Sequence, residues 1–337
     1  MAHTRRFLGI AAALLTVTVA ATACSDGGPA AVVTPSPDKR SQAPGGDKEE
    51  KATADTPAAA LPDPTAMPVP PLLAKRTAPL KNGGNGNTPA SIPKSGNCLK
   101  GVGTWGLTAG QKALTGSGAC WFYTWSPNDW FGAPPGVEFV PMIWSGRDIG
   151  KVGEVRGKTL LGFNEPDLAG QANMSVEEAL NLWPQLQKTG MRLGSPAPVW
   201  GGDIPGRWLD QFMTGARQRG LRVDFIALHF YTKNYDTATA VNELKTYIQR
   251  VRARFGKPIW LTEFALINHD NGMSYPPVGQ QAAFVRAATS MLTALPYVER
   301  YAWFALPNTR GNGTGLMTDD GTPTEPGREF QRAPRTR

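Results

Sequence analysis

Between residues 101 and 304, eight short apolar runs alternate with amphipathic or loop-like stretches, and that alternation leaves few architectures open. The runs cover residues 101–105, 120–125, 138–144, 160–164, 192–195, 224–229, 258–262 and 300–304. Each is too short for a core helix and is bounded by turn-forming residues, so each reads as a strand. Helical periodicity appears over 175–188, 206–219, 237–255 and 278–294. Ser175 stands as N-cap to the first of these with Glu178 three residues on, the capping-box spacing, and Gly256 ends the third. Strands alternating with helices predict a parallel sheet with crossover helices, and eight such strands predict an α/β fold of the (β/α)8 TIM-barrel type. Connections after the first three strands are brief and rich in Gly and Pro, so the helices there are expected to be short or degenerate. Residues 96–334 come close to the roughly 250 residues that one such domain needs.

The preceding residues belong to other classes. Arg5-Arg6, an apolar run over 7–23 and the small residues Ala21-Thr22-Ala23 form the charged, apolar and cleavage regions of an export signal, residues 1–23. That run is slightly short for a membrane span. A small residue directly before Cys24 resembles a bacterial lipoprotein box, which makes Cys24 the expected lipidated N-terminus on the outer face of a bacterial membrane. Ala21 stands where a leucine is more usual, and cleavage by ordinary signal peptidase with secretion is the alternative. Arg5-Arg6-Phe7-Leu8 matches a twin-arginine signal only loosely. Residues 24–95 are rich in Pro, Ala, Gly, Thr and charge without apolar periodicity. They cannot bury enough surface to offset their ordering entropy and are expected to form a flexible tether, stiffer around Pro62 to Pro71.

Lys and Arg number 35 against 27 Asp and Glu, an excess of +8 that is scattered along the chain. Nucleic-acid binding would want a basic stripe with a matching motif, and neither is visible. The densest basic stretch is 249–257, with Arg250, Arg252, Arg254 and Lys257 on a predicted helix. A solvated outer face is expected there, with attraction to anionic wall polymers or lipid headgroups as the alternative. Cys98 lies just before the first strand and Cys120 begins the second. Adjacent parallel strands would bring them together, and an exported chain meets oxidising conditions, so a disulfide is expected and buried free thiols are the alternative. With His3, His229 and His269 as the histidines and no Cys-x-x-Cys, no metal-ligand cluster and no cofactor is expected.

Two of the apolar runs end in a glutamate: Leu160-Leu161-Gly162-Phe163-Asn164-Glu165-Pro166 and Ile259-Trp260-Leu261-Thr262-Glu263-Phe264. A lone glutamate after a strand is more often a helix cap or half of an ion pair. Two of them in matching contexts fit an α/β barrel that presents paired acids at one rim, an arrangement suited to cleaving glycosidic bonds.

Asn164-Glu165-Pro166, Leu228-His229-Phe230-Tyr231, Leu261-Thr262-Glu263-Phe264 and Tyr301-Ala302-Trp303-Phe304 together resemble clan A glycoside hydrolases. Within that clan the sequence is most similar to glycoside hydrolase family 128, a group of β-1,3-glucanases. The likeness covers nearly all of the expected barrel and none of the tether. It implies a retaining endo-β-1,3-glucanase working by double displacement, with Glu165 as acid/base and Glu263 as nucleophile. Asn164 can donate to the sugar 2-hydroxyl. His229 and Tyr231 share strand parity, so His229 is expected to contact substrate and Tyr231 to orient Glu263; a core histidine with a packing tyrosine is the alternative. Trp303 is a candidate platform for a sugar ring, and Trp125, Trp130, Trp144 and Trp200 lie on loops facing the same rim, some lining a groove and others packing. The implied partner is a β-glucan polysaccharide or oligosaccharide, bound by a monomer whose membrane contact is its N-terminal lipid anchor. Hydrolysis of another β-glycan, transglycosylation, and a catalytically silent glycan-binding surface lipoprotein are the alternative functions.

Overall fold

The computed structural model describes residues 98–130, 132–270, 272–308 and 313–337. The expected signal peptide, the Cys24 lipidation site and the tether lie outside the described residues. Fifteen segments follow in order: β1 (Lys100–Gly103), α1 (Gly110–Ser117), β2 (Trp121–Tyr123), β3 (Glu138–Phe139), a 3-10 helix η1 (Gly146–Glu154), β4 (Thr159–Leu160), α2 (Val176–Gln187), β5 (Arg192–Leu193), α3 (Trp208–Gln218), β6 (Ile226–Thr232), α4 (Thr237–Phe255), β7 (Ile259–Leu266), α5 (Val278–Ala294), β8 (Val298–Trp303) and α6 (Glu325–Arg332).

Every strand pairing is parallel. Six strands run in the order β3-β2-β1-β8-β7-β6, and β4 pairs with β5. Single parallel bridges, Met142 with Leu161 and Gly194 with Phe225, link the edges of the two sheets. The strands expected third, fourth and fifth shrink to two residues each. In the third, Pro141 has no N–H to give the ladder; in the fourth, the backbone turns left-handed at Glu165 (φ 44°).

Side chains alternate across the strands as a period of two demands. Trp121, Tyr123, Phe225, Trp260 and Ala302 cluster on the inner face. Val102, Phe122, Leu228, Leu261 and Trp303 pack outward with Leu244 and Ile248 of α4 and Phe284 of α5. Gly101 has no room for a Cβ, which would fall 2.2 Å from the Trp121 ring. A glycine there lets the large inner ring lie against β1.

The local signals act as expected at two helices. Ser175 accepts from the Glu178 N–H at 3.1 Å, and Asp236 caps α4, which ends at left-handed Gly256. Among the described residues of the first three connections only α1 is a full helix; η1 is the short substitute after β3. Helix α6 was not expected. Thr324 caps it, and the buried Lys100 ammonium donates to the carbonyls of Phe330 and Ala333, each at 2.8 Å, fixing its far end against β1. Burial, with Arg335 nearby, brings the Lys100 pKa down to about 8.

Cys98 and Cys120 form the expected disulfide, with 5.9 Å between their Cα atoms. It joins the start of β1 to the start of β2. In the chain-entropy account such a link stabilises by about 3 kcal/mol. Replacing both cysteines by alanine should lower the free energy of unfolding by about that amount in denaturant titration, and a loss below about 1 kcal/mol would contradict this role.

Candidate functional site

The chemistry collects where β4, β6 and β7 end. Strand β7 pairs with β6 as Leu261 to Leu228 and then as Glu263 to His229, so Thr262 is an extra residue. Leu261 faces outward, and simple alternation would send Glu263 the same way. The bulge turns it inward, the familiar use of such irregularities beside active sites. Glu165 sits at a left-handed backbone position held by its N–H to Ala197 O at 2.8 Å and by Leu168 N–H to its own carbonyl at 3.1 Å. That conformation costs a non-glycine residue about 1 kcal/mol or more, and it aims the carboxyl at β6.

His229 lies between the two acids. Its Nδ1 is 2.9 Å from Glu165 Oε1 and its Nε2 is 3.3 Å from Glu263 Oε1. One oxygen from each glutamate and a histidine nitrogen all fall within 4.8 Å of one another. None of the three side chains is more than 3% exposed.

The two carboxyl groups have unlike surroundings. Glu263 accepts hydrogen bonds at Oε1 from Trp125 Nε1 (2.7 Å) and the Tyr123 hydroxyl (3.1 Å), and at Oε2 from the Tyr231 hydroxyl. Burial, then the Glu263 charge, pushes both tyrosines well above the ordinary phenol range, so they stay protonated donors. Glu165 has His229 as its partner and one buried oxygen, Oε2, without any among the described residues. Burial raises its pKa; His229 opposes this and the charges of Glu263 and Asp167 add to it. Burial alone would lower His229, but Glu263 and the bond to Glu165 outweigh it and the net shift is upward. Such a pair can supply a proton from one side while offering a carboxylate on the other.

The expectation of no metal-ligand cluster needs correction, because Glu165, His229 and Glu263 form one. Residue spacing could not reveal it, since each comes from a different strand end. The donors around it suit a carboxylate better than a cation: a metal on Glu263 would face the Trp125, Tyr123 and Tyr231 hydrogens already aimed at those oxygens.

The other sequence candidates divide. Asn164 is buried, with Nδ2 3.3 Å from Gln171 Oε1 and Oδ1 without a partner among the described residues. Tyr231 and Trp125 reach Glu263 directly. Trp144 is half-buried against the inner cluster. Trp130 and Trp200 are exposed, and the Arg207 guanidinium covers one face of Trp200 at 4.4 Å. Trp303 is a correction: it is fully buried, donates to Thr314 O at 2.8 Å and packs on Phe264 and Phe284. Its parity turns it outward to α5, leaving no face for a sugar. The next residue, Phe304, stands instead beside Trp105, Trp125 and Tyr231, at centroid distances of 5.9, 5.8 and 5.6 Å.

Besides Phe304, four residues at the site escaped the sequence reading. Tyr123 shares the parity of Trp121 and Trp125, a signal that was present. Trp105 ends the first predicted strand. Asp167 accepts the Val199 N–H at 2.9 Å, tying the loop that carries Trp200 to the strand that carries Glu165. The His269 ring lies 5.3 Å from Tyr231, and burial lowers its pKa.

The family model for the glycosyl hydrolase catalytic core matches residues 104–330. Alkali-sensitive linkage protein 1 of Schizosaccharomyces pombe is 31% identical over 207 residues, which is 59% of this chain and 36% of that protein. The chain thus spans little more than a third of that relative's length. A family 128 (subgroup I) endo-β-1,3-glucanase from Amycolatopsis mediterranei, solved with laminaritriose, is 50% identical over 70% of this chain and 100% of its own, with a TM-score of 0.68. A subgroup II endo-β-1,3-glucanase from Sorangium cellulosum is 31% identical over 71% of this chain and 99% of its own, with a TM-score of 0.59. A core match over most of the folded residues, and solved relatives matched along their full length, make this chain a member of glycoside hydrolase family 128 and an enzyme that cleaves glycosidic bonds.

Proposed function

We propose that the chain is a retaining endo-β-1,3-glucanase, with Glu165 as acid/base and Glu263 as nucleophile at the carboxyl end of a (β/α)8 barrel. The observation that carries this is the 4.8 Å cluster of Glu165, His229 and Glu263 atoms. Retaining enzymes hold their carboxyls roughly 5–5.5 Å apart, and inverting ones roughly 6.5–9.5 Å apart to admit a water. The linkage comes from the relatives: the Amycolatopsis and Sorangium enzymes are endo-β-1,3-glucanases, the first solved with a β-1,3-glucan fragment. The ring of parallel pairings supports the barrel.

In this mechanism Glu165 protonates the departing oxygen while Glu263 attacks the anomeric carbon. Once the ester forms on Glu263, its negative charge is gone and one cause of the raised Glu165 pKa goes with it. Glu165, ionised by giving its proton to the departing oxygen, can then remain a carboxylate and draw a proton from the water that releases the sugar, which restores both carboxyl groups to their starting states. Tyr231, Tyr123 and Trp125 hold the Glu263 carboxylate in line, Asn164 meets the sugar 2-hydroxyl, and Phe304, Trp105, Trp144 and Trp200 offer apolar faces to the glucan. We extend the proposal to the cell: the chain is exported, processed at Cys24, lipid-anchored there and active as a monomer.

Three outcomes are expected. Glu165→Gln should lower kcat on a β-1,3-glucan oligosaccharide by about 10²–10⁴-fold, and Glu263→Gln at least as much, with thermal unfolding near wild type. Activity should fall as pH rises through the Glu165 pKa, because the acid then loses its proton. Burial raises that pKa, so the alkaline limb of kcat/KM should lie above the ordinary carboxylate range. A limb near pH 4.3, the free glutamate value, would contradict the assignment. Tyr231→Phe should cost about 10- to 100-fold in kcat, the worth of a hydrogen bond to a charged group, with little change in KM. Laminarin turned over no faster than β-1,6-glucan or mannan would overturn the linkage.

A further inference from the structure

The end of the fold opposite the two glutamates carries more basic than acidic side chains, and it is also where the described chain begins. In a parallel sheet with crossover helices, strand starts and helix ends share one face. Two cavities open there. One, of about 470 Å³, is lined by Cys98, Lys158, Arg192, Glu299, Arg300 and Arg337. The other, of about 890 Å³, lies between α3 and the end of α4 and includes Arg217, Arg254 and Lys257.

Three acids at this end are taken. Glu138 pairs with Arg300 at 2.6 Å, Glu299 with Arg192 at 2.5 Å, and Asp224 with Arg222. Asp210, higher on α3, binds Arg254 at 2.8 Å. Other cations form no ion pair among the described residues, although Arg217 feels the charge of Asp210 and Arg337 that of Glu299. Lys158 and Lys257 stand before β4 and β7, Lys188 and Arg217 close α2 and α3, and Arg335 and Arg337 donate to backbone carbonyls. Glu154, the last residue of η1, forms no ion pair among the described residues.

Basic groups at helix ends are ordinary complements to the helix dipole. That explains Lys188 and Arg217. It does not explain Lys158, Lys257, Arg335 or Arg337, which lie outside the helices. The basic stretch 249–257 contributes less than its sequence suggests, because Arg250 and Arg254 are bound to Asp203 and Asp210.

We propose that this face docks on an anionic phospholipid surface, turning the two glutamates away from the membrane toward incoming glucan. Charge complementarity argues for it, and so does connectivity: Cys98, where the 97 preceding residues join the fold, lines the smaller basic cavity. For its setting the inference rests on the proposed lipid anchor at Cys24. Each juxtamembrane Lys or Arg strengthens such binding roughly fivefold.

The test uses the chain from residue 24 onward with Cys24→Ser, so that no acyl group contributes, in sedimentation with phosphatidylglycerol or phosphatidylcholine vesicles. We expect binding to the anionic vesicles alone, abolished at about 1 M salt, where the screening length is about 3 Å. The triple variant Lys158→Glu, Arg217→Glu, Lys257→Glu should bind at least 100-fold more weakly while cleaving soluble glucan oligosaccharides at the wild-type rate. Equal binding to both lipids, no binding, or an unaffected triple variant would overturn the proposal. So would binding to poly(glycerol phosphate) in place of vesicles. Acylation of Cys24 is read separately, from the mass of the N-terminal peptide of the exported protein, so the anchor and the docking face can fail independently.

Discussion

A buried histidine held between two buried glutamates is the contact on which the rest of the molecule depends. Charged groups out of water are costly unless partners meet them, and breaking one such pair typically costs about 3–5 kcal/mol. Here the partners come from the ends of three strands that are distant in the chain. Glu165, His229 and Glu263 can meet only if β4, β6 and β7 keep their register. The Thr262 bulge and the left-handed turn at Glu165 are the two backbone departures that bring the carboxyls onto the histidine.

Aromatic packing provides the stiffness behind that geometry. Trp121 lies against Trp260, and Phe225 stacks on Trp260 at 4.3 Å, filling the inner face below the acids. Above this layer Tyr123 and Trp125, at 4.8 Å, combine packing with hydrogen bonds to Glu263. The same rings exclude water and fix the carboxylate. A low-dielectric site of this kind makes each remaining polar contact stronger.

The alternation of strands and helices was legible because it depends on local periodicity. The Ser175 cap, the Gly256 stop and the Cys98–Cys120 link were read from residues whose signals act over a few positions or between neighbouring strands. The two glutamates were legible from their place at the ends of apolar runs. Trp303 was misjudged: position near a strand end says nothing about which face a ring takes, and parity gives it to α5. Parity would equally have misplaced Glu263, since the bulge that corrects it leaves no mark in the sequence. His229 as a bridge between acids, and the metal-like trio it completes, required three separate strand ends in space. Helix α6 went unseen because Lys100, far away in sequence, secures it.

Double displacement through Glu263 is most directly tested by trapping the intermediate. A 2-deoxy-2-fluoro laminaribiosyl fluoride should react with the wild-type enzyme, and peptide mass spectrometry should find the added disaccharide on Glu263. An adduct on Glu165, or steady turnover of the fluoride with no covalent species at all, would contradict the account.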